Sequence, residues 1–526
     1  MFPAKFHFAH FLLPALPLLL AACSVGPDYH GPPAPPGPVP ISYKESDAWK
    51  PANPRDDMIK GKWWEMYQDP QLNALEEQID INNQNVLQAE AQFVEAAATV
   101  KVARAAFFPT VTTSPNYTLT HPETGGRGNN GNFSGSGSFS GSGSGGTGTG
   151  GGGGNSSVAL SSAASLYDVP VNVSYIVDIW GAVRREVESE SATAQASFAT
   201  LENARLSFQA TLAEDYFELL GLDAEKELLE KTLVSFDQFI TLTKNRYASG
   251  IASQGDVAQA QAQYDATRVQ LVDLGVARAQ FEDAIAVLIG KPAPSFSIQY
   301  KPLHALPPKI PAGVPSELLE RRPDIAAAER QVAAANATIG VNVAAYYPQL
   351  TLTGSAATEA IELSELFSGP TFLWSVGPTL AQTLFDAGKI HGQVQEARAA
   401  YDADVANYRQ TVLTGFQQVE DNLSGLRVLQ EESGAETDAV KSAQQSLDVT
   451  VNQYQSGIVD YLNVITTQAV LLDDQVNAVN LRTREMTTSV LLIEALGGGW
   501  DTSQLPGRAG VSDVPPAQAQ VIKSRQ

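Results

Sequence analysis

Residues that could do chemistry are few in this chain. Its 526 residues hold six histidines and one cysteine. The histidines are scattered, and no metal-ligand cluster forms among them. Gly143-Ser144-Gly145-Gly146-Thr147-Gly148 fits the G-x-G-x-x-G pattern. It lies in low-complexity sequence with no helix after it, so it lacks the N-terminus that would hold a phosphate, and the match is accidental. No catalytic residue, metal or cofactor is expected, and an enzyme is not the reading. The one thiol, Cys23, sits at the end of a targeting segment. Lys5 and His7 precede an apolar run, Phe11 to Leu20, too short to span as a stop-transfer helix. A single cysteine excludes an intrachain disulfide.

Leu20-Ala21-Ala22-Cys23 resembles the lipobox of bacterial lipoproteins. That resemblance implies cleavage after residue 22 and lipidation of Cys23 as the first mature residue. Ser24, not Asp, follows, which favours outer-membrane sorting. No later segment reads as a transmembrane helix, so a membrane crossing would need strands in a closed barrel. The net charge of -23 lacks the basic footprint of a nucleic-acid binder. It is compatible with a lumen that favours cations.

The elements that must position anything else are duplicated. Gly181, Tyr247, Ser249-Gly250-Ile251 and Gly290 recur without a gap 207 residues later as Gly388, Tyr454, Ser456-Gly457-Ile458 and Gly497. Each copy holds a helix-like run of about 67 residues, roughly 100 Å long. Val187, Ala194, Leu201 and Phe208 recur every seven residues, as do Ala192, Ala199, Leu206, Ala213 and Leu220. Two seams on one helix suggest neighbours on both sides, as in a ring of helices, although a two-helix coiled coil also fits. Val405, Val412, Val419 and Leu426 repeat the spacing in the second copy.

Each half reads helix, strand, loop, strand, very long helix, tight turn, shorter helix. The first half spans residues 63–290, with a helix from Asp69-Pro70 to about Phe107, strands at about 109–120 and 168–179, and a Gly/Ser loop at 121–167. The second spans 316–500, with strands at about 348–358 and 371–385. A Pro-rich tether covers 23–62, a linker 291–315, and a tail expected to be disordered 501–526. The helices at about 70–107 and 254–289, stacked end to end, reach roughly 110 Å and match one long helix. Four strands cannot close a membrane barrel, so the chain must oligomerise, with eight strands as a dimer or twelve as a trimer. Tyr117, Trp180, Phe372 and Trp374 stand near strand ends, where they could form an interfacial belt.

The chain resembles the outer-membrane efflux proteins, and within them the lipoprotein branch often called the NodT type. The residues that carry this are Cys23-Ser24-Val25-Gly26-Pro27-Asp28-Tyr29, Trp63-Trp64 with Asp69-Pro70, and Leu319-Glu320-Arg321-Arg322-Pro323-Asp324-Ile325 running into Ala326 to Gly340 and Tyr347-Pro348. Gly377-Pro378, Phe385-Asp386-Ala387-Gly388 and Tyr454 to Val464 add to it. The resemblance covers about 23 to 500.

It implies a mainly α fold with a small β membrane barrel. As a homotrimer the duplicated unit would form a twelve-strand barrel continuous with a twelve-stave helical tunnel. It also implies a periplasmic adaptor and an inner-membrane RND-type transporter as partners. The chain would then be an outer-membrane, lipid-anchored channel that gives small molecules a passive exit path. A type I protein-secretion channel and a non-transporting coiled-coil lipoprotein are the alternatives.

By the same resemblance Tyr247, Asp256, Tyr454, Leu462 and Thr466 stand at gate positions. Many relatives carry Asp at the Thr466 position and often another at the Asn463 position; this chain has neither. Leu462 is expected to narrow the mouth, Tyr454 to hydrogen-bond across helices near Asp256, and Asp460 to supply acidic character. Ser249, Gly250, Ile251, Ser456, Gly457 and Ile458 are candidate adaptor-docking tips, Gly for the backbone reversal and Ile as an apolar contact.

Overall fold

The computed structural model describes residues 24–32, 44, 61–120, 164–310, 318–368, 371–507 and 510–513. They form a helical unit and a separate sheet unit, the latter made of Ala106–Asp178 and Pro348–Thr383.

The helical unit opens where the sequence places an N-cap. Asp69 accepts hydrogen bonds from the backbone N–H of Gln71 (3.0 Å) and Leu72 (3.4 Å) at the start of α1 (Pro70–Asn82), with Pro70 in the first turn. The single helix expected to about Phe107 is broken at Asn83. Its backbone is extended, and its side-chain oxygen accepts from the N–H groups of Asn85 (2.9 Å) and Val86 (3.1 Å). A new helix, α2 (Gln84–Ala105), starts from that cap. The long α3 (Ala182–Ala248) and α4 (Gln254–Leu288) complete the first repeat. In the second repeat a one-turn α5 (Leu318–Arg321) leads into α6 (Pro323–Ala344), α7 (Lys389–Gln455) and α8 (Tyr461–Ala495).

The duplication holds to the residue. Helices of 22, 67 and 35 residues in the first repeat are followed by 22, 67 and 35 in the second. Helix α3 packs α2 and α4 on one side and α6 and α8 on the other, and α7 packs beside α6 and α8. Neighbours on both sides explain the two seams of α3. Ala192, Ala199, Leu206, Ala213 and Leu220 are buried along one, Ala194 and Leu201 along the other. On α7, Val405, Val412, Val419 and Leu426 are buried, while Leu413, Val428 and Val449 stay about half exposed. The chain is thus a ladder of four staves, α2 with α4, α3, α6 with α8, and α7.

Two staves are made of stacked helices. The Asn83 amide donates to the carbonyl of Leu288 (2.8 Å) at the end of α4, so α2 starts where α4 stops. Arg322 donates to the carbonyl of Ala495 (3.0 Å) at the end of α8, where α6 starts. Opposed helix termini set unpaired N–H groups near unpaired carbonyls, a favourable dipole arrangement. Helix α1 lies outside the stack, so α2 and α4 together run about 85 Å, not the 110 Å expected with α1 included.

The main core lies around these joints and includes Trp63, Leu72, Tyr216, Phe217, Ile289 and Val490. Linker residues Ile298, Leu303 and Ile310 are buried in it, and the Leu303 N–H donates to the Leu220 carbonyl (3.0 Å). The tail expected to be disordered from 501 is instead packed as far as it is described. Leu505 lies against Trp500 and Ala199, Val511 is fully buried beside Ala97 and Ala194, and Gln195 donates to the Pro506 carbonyl. Two apolar side chains in a polar segment are enough to hold it.

The sheet unit contains β1 (Thr110–Thr113), β2 (Asn116–Thr120), β3 (Ala164–Val177), β4 (Gln349–Ala360) and β5 (Phe372–Ala381), all paired antiparallel. Both β1 and β2 pair with β3, as two parts of one strand. The break at Ser114-Pro115 faces Val169-Pro170. Prolines on both sides lack the N–H a ladder needs. Strand β3 begins four residues before its expected start, because Tyr167 pairs with Tyr117 on one side and Ala360 on the other. The rest of the Gly/Ser segment lies outside the described residues. The edges are β1 with β2 on one side and β5 on the other. No described helix is long and apolar enough to cross a membrane.

Candidate functional site

The two repeat turns form neighbouring tips. Helix α3 ends because Gly250 takes φ +74° and lets Ile251 N–H return to the Arg246 carbonyl (2.9 Å). Gly457 at φ +78° does the same for α7, with Ile458 N–H on the Gln453 carbonyl (2.9 Å). Ser249 and Ser456 bond back to the carbonyls of Asn245 and Asn452. Ile251 and Ile458 are left 67% and 72% exposed, which is costly unless something covers them.

The two following helices start differently. Ser253 and Asp256 form a reciprocal capping box on α4, with Asp256 N–H on the Ser253 hydroxyl (3.1 Å) and Ser253 N–H on the Asp256 carboxylate (3.0 Å). Asp460 is the N-cap of α8 but makes no side-chain cap bond. Leu462 lies in the first turn of α8 and is 59% exposed. Exposed Thr466 returns its hydroxyl to the Leu462 carbonyl (2.9 Å).

The repeat-related tyrosines part company. Tyr247 is half exposed, whereas Tyr454 is buried against the Tyr461 ring with Ile240, Ala260 and Val464 around it. The bond expected between Tyr454 and the region of Asp256 is not formed within this chain. Asp256 is turned into its own cap, and the Tyr454 hydroxyl is buried without a partner. A residue the sequence reading passed over holds this place. Arg246, at the end of α3, sets its guanidinium 4.6 Å from the centre of the Tyr454 ring. It also donates to the Gln455 carbonyl (3.0 Å) at the end of α7. An arginine at the last turn of a long polar helix gives no sequence signal for this.

A second group of polar residues fixes the staves higher up. Asp69, beyond capping α1, accepts from the Tyr216 hydroxyl (2.9 Å) and from Lys301 (2.6 Å) in the linker. Burial raises its pKa, but the Lys301 and Tyr216 bonds outweigh that and hold the carboxylate below its usual range. Arg322 pairs with Asp324 (2.6 Å) and reaches Gln418 (2.8 Å) on α7 as well as the end of α8. The Arg-Arg-Pro-Asp run is therefore a joint between three helices. Arg278 on α4 likewise pairs with the fully buried Asp223 of α3 (2.8 Å).

Of the belt aromatics, Tyr117, Phe372 and Trp374 are more than half exposed on the sheet, and the Tyr117 ring packs at a tilt against Tyr167 across the strands. Trp180 belongs to the helical unit and stacks on Tyr347 at 4.7 Å. Cys23 lies outside the described residues, but the segment after it is docked. Val25 N–H donates to the Trp180 carbonyl (3.1 Å), Asp28 pairs with Arg185 (2.8 Å), and Asn336 donates to the Pro27 carbonyl (3.1 Å). The Tyr29 hydroxyl bonds Glu329.

Residues 75–291 and 314–498, which hold both tips and both joints, match the family model for outer membrane efflux proteins. The chain belongs to the outer membrane efflux protein family. The family is one of channels, not of enzymes. Among relatives, the chain is 28% identical to the antibiotic efflux pump outer membrane protein ArpC of Pseudomonas putida, over 94% of this chain and 96% of the relative. It is also 28% identical to the pyoverdine export outer membrane protein OpmQ of Pseudomonas aeruginosa, over 84% of this chain and 88% of that one. Among solved structures, the outer-membrane channel OprN matches at 25% identity with a TM-score of 0.77, over 91% of this chain and all of that chain. The outer membrane protein VceC of Vibrio cholerae matches at 26% identity and 0.72, over 84% and 99%. This efflux protein is an outer-membrane channel component of an efflux pump.

Proposed function

We propose that three copies of this chain close into one channel, with twelve strands in the outer membrane and twelve staves across the periplasm. Open edges support this reading most. Among the described residues, the stave of α2 and α4 and the stave of α7 each pack a neighbouring stave on one side, and the sheet ends in β1–β2 and β5 edges that pair with no further described strand. Apolar side chains on the outer stave faces remain for a second copy to cover, with Val269, Val272 and Val276 on α4 at 67%, 70% and 59% exposure.

The channel is anchored through lipid on Cys23, in line with the docked residues that follow it. Ile251 and Ile458 at the tips meet a periplasmic adaptor, which couples the channel to an inner-membrane RND-type transporter. Leu462 lines the mouth, and small molecules leave passively through it. The test is the mature, membrane-extracted protein. It should run as a heat-modifiable trimer and give unitary conductance steps in planar bilayers. Monomers without conductance would overturn the channel.

A further inference from the structure

We propose that Arg246 is the clasp that holds the two helical hairpins of one chain together at the periplasmic mouth, acting on the face of the Tyr454 ring and not on its hydroxyl. The inference rests on the channel reading above. The backbone carbonyl of Arg246 accepts from Ile251 and Ala252 and so terminates the first turn. Its side chain crosses to the second hairpin, onto the Tyr454 ring and the last carbonyl of α7. That carbonyl has no partner within its own helix, and a guanidinium at a helix C-terminus meets both the orphan oxygen and the negative end of the dipole. One residue thereby ties the end of α3 to the end of α7.

The tie matters because α3 and α7 stand apart above it. A cleft of about 660 Å³ lies between them, lined by Phe236 and Phe239 of α3 and by Leu447 and Val451 of α7, with Gln468 and Leu472 of α8 behind. Gln468 is buried there, and its carbonyl oxygen has no partner. Along the cleft α3 and α7 line opposite walls, and Arg246 bridges them directly at the tip beside the apolar packing around Tyr454. The clasp has no twin, because Gln453 occupies the repeat position of Arg246. Each chain therefore has one such tie, from the first hairpin to the second.

The experiment is single-channel conductance in planar bilayers of the full-length protein, with trimer yield and thermal unfolding measured on the same preparations. Arg246→Ala is expected to raise unitary conductance severalfold with trimer yield unchanged. Tyr454→Leu, which removes the ring, should do the same, and the double variant should add nothing. Tyr454→Phe should conduct like the parent. Arg246→Gln keeps an amide donor for the carbonyl and gives up the charge over the ring; it should fall between, and it stands in if the alanine variant does not assemble. Parent-like conductance in both Arg246 variants overturns the clasp and leaves the channel intact. Opening by Tyr454→Phe as large as by Arg246→Ala also overturns it, because the hold would then lie on the hydroxyl. Absence of conductance in every variant and the parent defeats the channel reading instead.

Discussion

Carboxylates buried or half-buried among the staves shape how this protein responds to acid. Burial and the neighbouring Glu494, Asp215 and Glu218 push Glu214 up to about 7. Burial and Glu218 push Asp215 up to about 6. Glu76 is fully buried with neither oxygen bonded, and burial, with Asp80 nearby, raises it well above the usual range. Each acid binds its proton more tightly folded than unfolded. Stability from them is complete below their unfolded values and is lost as pH rises through the folded ones. Asp69, held low by its partners, titrates in the opposite sense but below this window. The unfolding midpoint is therefore expected to fall as pH is raised from about 5 to about 7. Glu214→Gln with Asp215→Asn should flatten that slope. An unchanged slope in the double variant, followed by circular dichroism, would count against it. A buried carboxyl without a partner costs about 1–3 kcal/mol, so Glu76 weakens the α1 packing that Asp69 and Lys301 support.

At the level of elements, two glycines allow helices to stack end to end. Gly290 and Gly497 both have positive φ, and an added Cβ would come within 2.3 Å of the Asn82 carbonyl oxygen and 2.1 Å of the Arg321 carbonyl oxygen. Alanine at either is expected to cost about 1–3 kcal/mol through backbone strain and the displaced joint. Thermal melts of Gly290→Ala and Gly497→Ala measure it, and parent-like midpoints would mean the joints give way freely. These glycines are repeat anchors in the sequence, and the geometry supplies their reason. The 67-residue helices, their two seams and the turns are legible from seven-residue spacing and Gly position, because those are local signals. The break at Asn83 is not, since α1 and α2 read as one apolar pattern and only a side-chain cap separates them. Arg246 over Tyr454 is equally silent, because a contact between residues more than 200 apart leaves no local trace. The Tyr454–Asp256 expectation rests on the position of both residues at the turns and on the carboxylate missing at Thr466, and it fails within this chain because the Ser253 N–H at the N-cap takes the Asp256 carboxylate.

The whole molecule is a set of edges and ties, and its front end adds a dimension of time. Residues after Cys23 dock on α3 and α6, through contacts spanning 160 and 309 positions of sequence. Gly26, at φ +97°, lies so close to α6 that a Cβ on it would stand 2.5 Å from the Gly340 Cα, so only a glycine fits there. That platform does not exist until helices from both repeats have come together, and such distant contacts form late. A newly made chain thus carries a loose leading peptide until its second half is correct. Its sequestration would act as an inspection stamp, and chains that fail to earn it would remain open to envelope proteases. Gly26→Ala should leave the leading peptide of otherwise folded protein cleavable by added protease in a pulse-chase, whereas the parent becomes resistant. Equal resistance in the two would show that the front end is not what quality control reads.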